Sequence, residues 1–463
     1  MEPGVAVGAT APPERDPRRA RRAAETVVAR LRAAGHEALL AGGCVRDLLL
    51  GREPLDYDVA TSAPASLVQR IFPRTVPVGV QFGVVLVLEQ GEKIEVATFR
   101  SDGRYVDHRH PVEVTPSDAR GDARRRDFTV NGMFLDPDRP SEPIDWVGGR
   151  ADLERGVVRA IGDPRARFDE DRLRLLRAVR FAARFGWEIE PGTLAAIESL
   201  APTVTTIAWE RIGDEVVKIL LEGGARRGFE MLETTGLLAA VLPEVAEMRR
   251  VEQSPDHHPE GDVLAHTLLC LGRIEPARHS EHVALALLLH DVEKRSCAER
   301  RPDGRITFHG HCERGAETAA AIVRRLRRSG DVESRVAWLV DRHLSHLDAP
   351  RMRASTLRRF LGEPWIDDLL EVIRIDALSG SGDLGPWEFC RASRDSLPGH
   401  AVLPEPLLRG RDLLDLGYRP GPRLGEILDR AFDAQLEGEL VDAAQARDWV
   451  LGRFPPASEP QGR

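Results

Sequence analysis

Between residues 24 and 99 the spacing of apolar positions changes several times, and each change marks an element. Apolar residues recur at helical spacing over Ala24–Ala34, which predicts a helix. Leu39–Leu40 and Tyr57–Ala60 are short apolar runs that predict strands on either side of a Gly-Gly turn. Pro64–Ile71 predicts a second helix. Val76–Val78 and Gly83–Leu88 predict strands, and a turn at Gln90–Glu92 leads into a further strand at Ile94–Phe99. Together these make a small mixed sheet with helices, ending near Asp145. Beyond it the pattern is helical. Phe168–Phe185 (FDEDRLRLLRAVRFAARF) has no Gly or Pro and predicts one continuous helix. Ala208–Leu221 predicts another, and helical spacing persists from Ala225 to Val245. Apolar helices continue from Pro255. Past Gly380 a Gly/Pro-interrupted stretch leads to a helical tail that begins in Leu407–Leu416 and ends near Phe454. The fold class expected is α+β, a small mixed-sheet head followed by an all-α remainder.

With 463 residues the chain is long enough for two to four domains. Its 42% apolar and 30% charged content is ordinary for a globular protein. No apolar run reaches the ~18 residues of a membrane span. The N-terminus (MEPGVAVGATAPPERDPRRARR) has no apolar core flanked by a cleavage site, so residues 1–24 read as a disordered tail, not a signal peptide. Five scattered cysteines without C-x-x-C spacing suit a reducing cytoplasm. The net charge of −9 does not advertise a nucleic-acid binder, but phosphate binding needs only a local basic face.

The chemistry concentrates in Leu39–Thr61, LLAGGCVRDLLLGREPLDYDVAT. Gly42 and Gly43 let backbone approach a phosphate, and a helix N-terminus behind them favours an anion. That short helix carries Arg46 and Asp47. Asp56 and Asp58 follow; in a strand, residues two apart share a face, so their carboxylates converge. Two close carboxylates repel unless neutralised, and a hard divalent cation such as Mg²⁺ does this. Metal carboxylates beside a phosphate-cradling turn point to phosphoryl or nucleotidyl transfer.

The ordered combination resembles the nucleotidyltransferase signature of the class II tRNA CCA-adding and bacterial poly(A) polymerase family. The resemblance implies that Gly43 and Arg46 bind a nucleoside triphosphate, and that Asp56 and Asp58 are catalytic and hold two Mg²⁺. RRRDFTVN, within Asp118–Asn131, resembles the family's R-R-D-F-T-x-N motif. Arg125 and Arg126 would then meet triphosphate or ribose, and Asp127 and Asn131 would order that site. Glu95, in IEVATFR, is either an accessory carboxylate, as the family's similar strand implies, or a solvent-facing strand residue. Ser101–Pro116 lacks periodicity and reads as a loop over the site.

Asp171 and Arg174 lie three apart in the predicted helix and so share a face. Cytosine and adenine each present an exocyclic amine beside a ring-nitrogen acceptor. An Asp accepts from the amine and an Arg donates to the nitrogen, whereas uracil and guanine would leave buried groups unpaired. This matches the family's E-D-x-x-R motif, carried by Glu170, Asp171 and Arg174; by the same resemblance Arg177 and Arg180 contact the nucleotide. Glu210, Arg211 and Glu215 match a further motif, E-R-I-x-x-E, read as structural.

From Pro255 histidines enter apolar helices: His266, the pair His290–Asp291 ending an apolar run, His309 and His311, then His343 and Asp376. The arrangement resembles the HD metal-dependent phosphohydrolase domain over about Glu260–Gly380. The resemblance makes His266, His290, Asp291 and Asp376 the core metal ligands, and His311 and His343 ligands to a second metal. Imidazoles with carboxylates suit a transition metal, Ni²⁺, Co²⁺ or Mn²⁺, which activates water against a phosphate ester.

The organisation expected is a disordered tail (1–24), a nucleotidyltransferase head (25–147), a helical neck for nucleotide selection and RNA binding (148–254), an HD domain (255–380) and a helical tail touching tRNA (381–463). The function expected is template-independent addition of C, C and A to the tRNA 3′ end from CTP and ATP, in the cytoplasm, with no membrane and no protein partner evident. FGVV at Phe82–Val85 resembles the CCA-adding form over the poly(A) form. Poly(A) addition, CC-only or A-only addition, an HD phosphohydrolase with an inactive head, and a non-catalytic RNA-binding protein remain the alternatives.

Overall fold

α1 (Pro17–Ala33) owes its position to one buried stripe, Ala20, Ala23, Ala24, Val27, Val28 and Leu31. The computed structural model describes residues 17–79, 83–102, 114–253, 261–396 and 403–456. The helix expected from Ala24 therefore starts two turns earlier, and the tail expected to be disordered through residue 24 is helical from Pro17. Arginines on the outer face masked the stripe. Residues 1–16, Phe82 of the FGVV stretch and residues 457–463 lie outside the described residues.

β1 (Ala38–Ala41) is buried at all four positions, as in a strand covered on both faces. Ala38 and Leu40 join the core under α1; Leu39 and Ala41 join a second core with Phe99 and Phe134. α2 (Gly43–Leu49), β2 (Asp58–Thr61), α3 (Ala65–Ile71), β3 (Thr75–Gly79), β4 (Val84–Glu89) and β5 (Glu92–Thr98) follow in the order expected. Gln90 and Gly91, both at positive φ, make the two-residue turn between β4 and β5. β6 (Arg100–Asp102) pairs with β7 (Val114–Pro116), so the stretch read as a loop carries a short ribbon; residues 103–113 are not described. α4 (Ala119–Arg124), β8 (Phe134–Leu135), β9 (Pro143–Ile144) and α5 (Gly149–Arg155) complete the head. Among the described residues the main sheet has seven strands, in the order β3-β4-β5-β2-β1-β8-β9. β2 runs parallel to β5 and antiparallel to β1.

β10 (Val157–Val158) leads to α6 (Pro164–Glu170) and α7 (Leu173–Phe185). The single helix expected over 168–185 is thus two. Asp171 takes extended angles (φ −146°, ψ 105°), and its side chain accepts a hydrogen bond from the Leu173 amide at 3.1 Å. Aspartate competes for local backbone donors in this way, so a helix can restart without Gly or Pro. Asp171 and Arg174 therefore do not share a face of one helix. β11 (Glu188–Ile189), α8 (Pro191–Leu200), α9 (Trp209–Leu221), α10 (Ala225–Thr234) and α11 (Leu237–Val241) close this unit.

Arg180 of α7 and Glu215 of α9 are both buried and pair at 2.7 Å; Arg180 also holds Glu222 at 2.7 Å. Arg180→Met should strand the Glu215 carboxylate and lower unfolding free energy by about 3–5 kcal/mol in urea titrations. Removing the charge as well, in Arg180→Met/Glu215→Gln, should recover much of that loss.

Residues 242–463 form the second compact unit. It contains α12 (Pro243–Ala246), α13 (Val263–Leu271), α14 (Glu281–Leu289), α15 (Lys294–Cys297), the ribbon of β12 (Glu299–Arg300) and β13 (Ile306–Thr307), α16 (His311–Arg325), α17 (Gly330–Arg342), α18 (Ala354–Leu361), α19 (Ile366–Ser379) and α20 (Gly385–Asp395). α14, apolar all round, packs against α13, α17 and α19. The tail helices α21 (Gly410–Asp415), α22 (Pro422–Glu437) and α23 (Ala443–Arg453) share a core of their own around Leu413, Ile427 and Val450. Among the described residues no helix is long and apolar enough to cross a membrane.

Glu371 of α19 accepts from Arg374 at 2.7 Å and from His279 Nε2 at 2.8 Å. Burial pushes its carboxyl up, but Arg374 and His279 outweigh burial and hold it down at about 2, against an ordinary 4.5. A depressed carboxylate stabilises the fold fully above its unfolded value, and that stability is lost as pH falls towards the folded value. Glu371→Gln should therefore lower the melting temperature at pH 7, and the deficit should vanish as the pH approaches 2.

Candidate functional site

Strand register assembles the head's site. Asp58 opens β2, facing Ala41 of β1 on one side and Glu95 of β5 on the other. Ala41 runs straight into Gly42, whose φ of +75° favours glycine and whose missing Cβ leaves room for the Arg126 guanidinium, 2.7 Å from where that atom would sit. Asp56 sits just before the strand, not in it. It nevertheless lines the same cavity of about 610 Å³ as Asp58, Gly42, Gly43 and Arg46. Glu95 is exposed and approaches the site through Asp58.

Burial first, then Glu95 and Asp56, push the Asp58 carboxyl up to about 6, and Arg126 opposes them. A partly buried carboxylate facing two others is short of positive charge, so the donor set suits a divalent cation held by oxygen. The surrounding walls are basic. Eight arginines line the cavity (46, 125, 126, 174, 177, 180, 184 and 211) against the aspartates 56, 58, 127 and 171. In a chain of net charge −9 this cavity is thus lined by more arginines than aspartates, which suits a polyphosphate.

These arginines are held by a relay. Arg177 donates to Asp127 at 2.6 Å, Asn131 donates to Asp127 at 3.1 Å, and Arg46 donates to Asn131 at 2.7 Å. Burial pushes the Asp127 carboxyl up, but Arg177 outweighs it and keeps Asp127 well below the usual carboxylate range. Arg46 is buried against the faces of Phe181 and Phe185. Arg125 and Arg126 share the buried Asp122, at 2.7 and 3.1 Å. Arg174 donates to Glu170 at 2.6 Å and to the Arg167 carbonyl at 2.8 Å. Arg211 grips both oxygens of Asp171, at 3.0 and 2.8 Å. Arg180 lines the cavity while bonded to Glu215 and Glu222.

The second unit brings its six predicted residues together. His266 (α13) meets Asp376 (α19) at 2.9 Å, and His290, just after α14, lies 3.8 Å from Asp376. Asp291 faces both halves of the cluster, with Oδ2 3.3 Å from His290 and Oδ1 3.6 and 3.8 Å from His311 and His343. His290, His311 and His343 each direct Nδ1 at a backbone carbonyl (Leu287, Phe308 and Val340), which leaves Nε2 pointing inward. A backbone hydrogen bond of this kind is the usual orienting partner of a metal-bound imidazole. Burial pushes His290 down, but Asp291 and Asp376 outweigh it and hold it up at about 9. Burial and His290 push His343 down to about 3. Imidazole nitrogens and two buried carboxylates converge here, so the donors fit a metal. His309 stands apart, beside Arg301.

The head matches the family model "Poly A polymerase head domain" over residues 38–159, and residues 186–249 match "Probable RNA and SrmB- binding site of polymerase A". An A-adding tRNA nucleotidyltransferase of Deinococcus radiodurans is 34% identical over 431 residues, covering 89% of this chain and 94% of that one. A CCA-adding enzyme of Limosilactobacillus fermentum is 42% identical over 423 residues, covering 91% and 94%. The chain belongs to the class II tRNA nucleotidyltransferase family of CCA-adding enzymes. The Bacillus stearothermophilus CCA-adding enzyme, solved in complex with CTP, superimposes with a TM-score of 0.71 at 29% identity, over 93% of this chain and 97% of that one.

In this tRNA nucleotidyltransferase several site residues escaped the motif reading. Arg211 was read as structural, yet it lines the cavity and holds Asp171. Asp122 was not singled out, although D-x-x-R-R places it one helical turn before Arg125 and Arg126. Phe181 and Arg184, on the face of α7 that carries Arg177, also line the pocket. In the second unit Cys270 and Cys312 fall within the two histidine clusters; the spacing H-x-x-x-C on α13 was the available signal.

Proposed function

We propose that the head adds C, C and A to the 3′ end of tRNA from CTP and ATP, without a template and with release of pyrophosphate. The observation that carries this is the convergence of Asp56, Asp58, the glycine turn and eight arginines on one cavity, within a chain related over nearly its whole length to CCA-adding enzymes. Asp56 and Asp58 would hold Mg²⁺, with Glu95 behind Asp58. When bound there, Mg²⁺ polarises the α-phosphate, acidifies the terminal ribose 3′-hydroxyl and stabilises the departing pyrophosphate. Gly42 and Gly43 leave room for phosphate oxygens, and Arg46, Arg125 and Arg126 neutralise them. Asp171 and Arg174 read the base edge. Oδ1 of Asp171 accepts from both Arg211 and the Leu173 amide, but Oδ2 retains a lone pair beyond Arg211, so the residue can accept from an exocyclic amine without being released. Arg177 and Arg180 position that edge through Asp127 and Glu215. The reading places the enzyme in the cytoplasm, where its tRNA and nucleotide substrates are.

The second unit supports a separate reading, an HD-type phosphohydrolase centre on His266, His290, Asp291 and Asp376, with His311 and His343. A transition metal held there would supply an activated water for attack on a phosphate ester. Asp291 would face both metal positions, and Lys294, at 2.8 Å from it, would hold its charge and place it. Asp56→Ala should remove nucleotide incorporation and leave hydrolysis of a phosphate ester unchanged. Asp291→Ala should do the reverse. Loss of both activities in either variant would contradict two independent centres.

A further inference from the structure

We propose that each metal position of the second unit carries one cysteine thiolate, Cys270 on one and Cys312 on the other, which makes this a centre for Zn²⁺ or Co²⁺ and disfavours Mn²⁺. The proposal rests on the two-metal reading above and changes its ligand set.

Cys270 lies one helical turn after His266 on α13 and is fully buried. Its Sγ is 3.6 Å from His266 Nε2. The ligand atoms of Cys270, His266, His290 and Asp376 all lie within 4.8 Å of one another. Cys312 follows His311 at the start of α16, and its Sγ is also 3.6 Å from the neighbouring Nε2. Cys312, His311 and His343 form the second group within 4.8 Å, and Asp291 Oδ1 lies beside its two imidazoles at 3.6 and 3.8 Å. The first position thus gathers two imidazoles, a carboxylate and a thiol, and the second two imidazoles and a thiol, with Asp291 between the two.

The spacing matches coordination chemistry. A tetrahedral ion with M–N of about 2.05 Å and M–S of about 2.3 Å sets its N and S ligands about 3.6 Å apart. The polar atoms of the cluster point the same way. Asp291 Oδ1 is buried without a hydrogen-bond partner and faces His311 and His343 at 3.6 and 3.8 Å, while Oδ2 is held by Lys294 at 2.8 Å. Buried polar atoms left unpaired cost free energy unless a ligand takes them up. Thiolate donors favour Zn²⁺ and Co²⁺ over Mn²⁺, which prefers oxygen. Binding releases the thiol proton to solvent as the metal–sulfur bond forms.

The test uses reduced, metal-stripped full-length protein reloaded with Co²⁺ without oxygen, with excess Mg²⁺ to occupy the head. Two cobalt ions per chain and a near-ultraviolet thiolate-to-cobalt charge-transfer band are expected. Cys270→Ser and Cys312→Ser should each lose about half of that band, while Cys44→Ser, Cys297→Ser and Cys390→Ser keep it. Zinc-edge X-ray absorption of the unsubstituted protein should find a sulfur shell at about 2.3 Å, so the answer does not depend on whether the variants fold. Bound metal with only nitrogen and oxygen neighbours overturns the thiolate proposal and leaves the histidine–aspartate centre standing. No retained metal overturns both.

Discussion

Asp58→Asn should lower nucleotide addition by roughly three orders of magnitude or more, the scale expected when several kcal/mol of metal-borne charge stabilisation is lost. The fold should survive. Asparagine keeps the shape of the side chain at the start of β2, and the flanking strands pair with it through backbone. Without metal the variant should even be slightly more stable at neutral pH. The folded-state value of Asp58 is raised from 3.8 to about 6, so the metal-free chain loses stability as pH rises through that window and Asp58 ionises beside Glu95 and Asp56. Labelled CTP incorporation and melting curves, with and without Mg²⁺, check both halves. Activity within tenfold of the parent would mean that Asp58 holds no essential metal.

The second large effect concerns which nucleotide is used. Asp171→Asn should lower kcat/KM for CTP and ATP by about 10- to 100-fold, the scale of one lost charge-assisted hydrogen bond, and raise the relative use of UTP and GTP. The amide can present a donor where the carboxylate only accepts, so the base edge that was rejected becomes tolerable. The carboxylate is also the anchor of Arg211, which grips both of its oxygens. Arg211→Met therefore serves as the companion variant. It should raise KM by freeing Asp171 to move, while the preference for C and A persists, because the accepting carboxylate remains. Steady-state kinetics with the four triphosphates separate the cases. Unchanged discrimination in Asp171→Asn would remove this residue from base reading.

How far the sequence carries the reader depends on whether a residue acts through its own spacing or through the fold. The strands of the head and the glycine turn are local patterns, and β1, β2, β4 and β5 appear within a residue or two of their expected limits. Asp58 and Glu95 lie 37 positions apart in sequence; only the parallel register of β2 and β5 makes them neighbours. The break at Asp171 was hidden because it is made by a side chain capping the Leu173 amide, with no Gly or Pro to announce it. Arg211 looked structural because its partner is 40 residues away. The cysteines of the second unit were passed over for a similar reason. Cys270 and Cys312 carry no paired-cysteine spacing, and they acquire metal-ligand geometry only when α13, α14, α16, α17 and α19 bring the histidines around them.

The most direct measurement of the central claim sizes the products formed on tRNA that ends at the discriminator base, with Mg²⁺ and purified protein. CTP alone should extend it by two nucleotides, and CTP with ATP by three, after which extension stops. A single addition only when the tRNA already ends in CC would mark an A-adding enzyme, and a long ladder with ATP alone would mark a poly(A) polymerase. Either result would contradict the account.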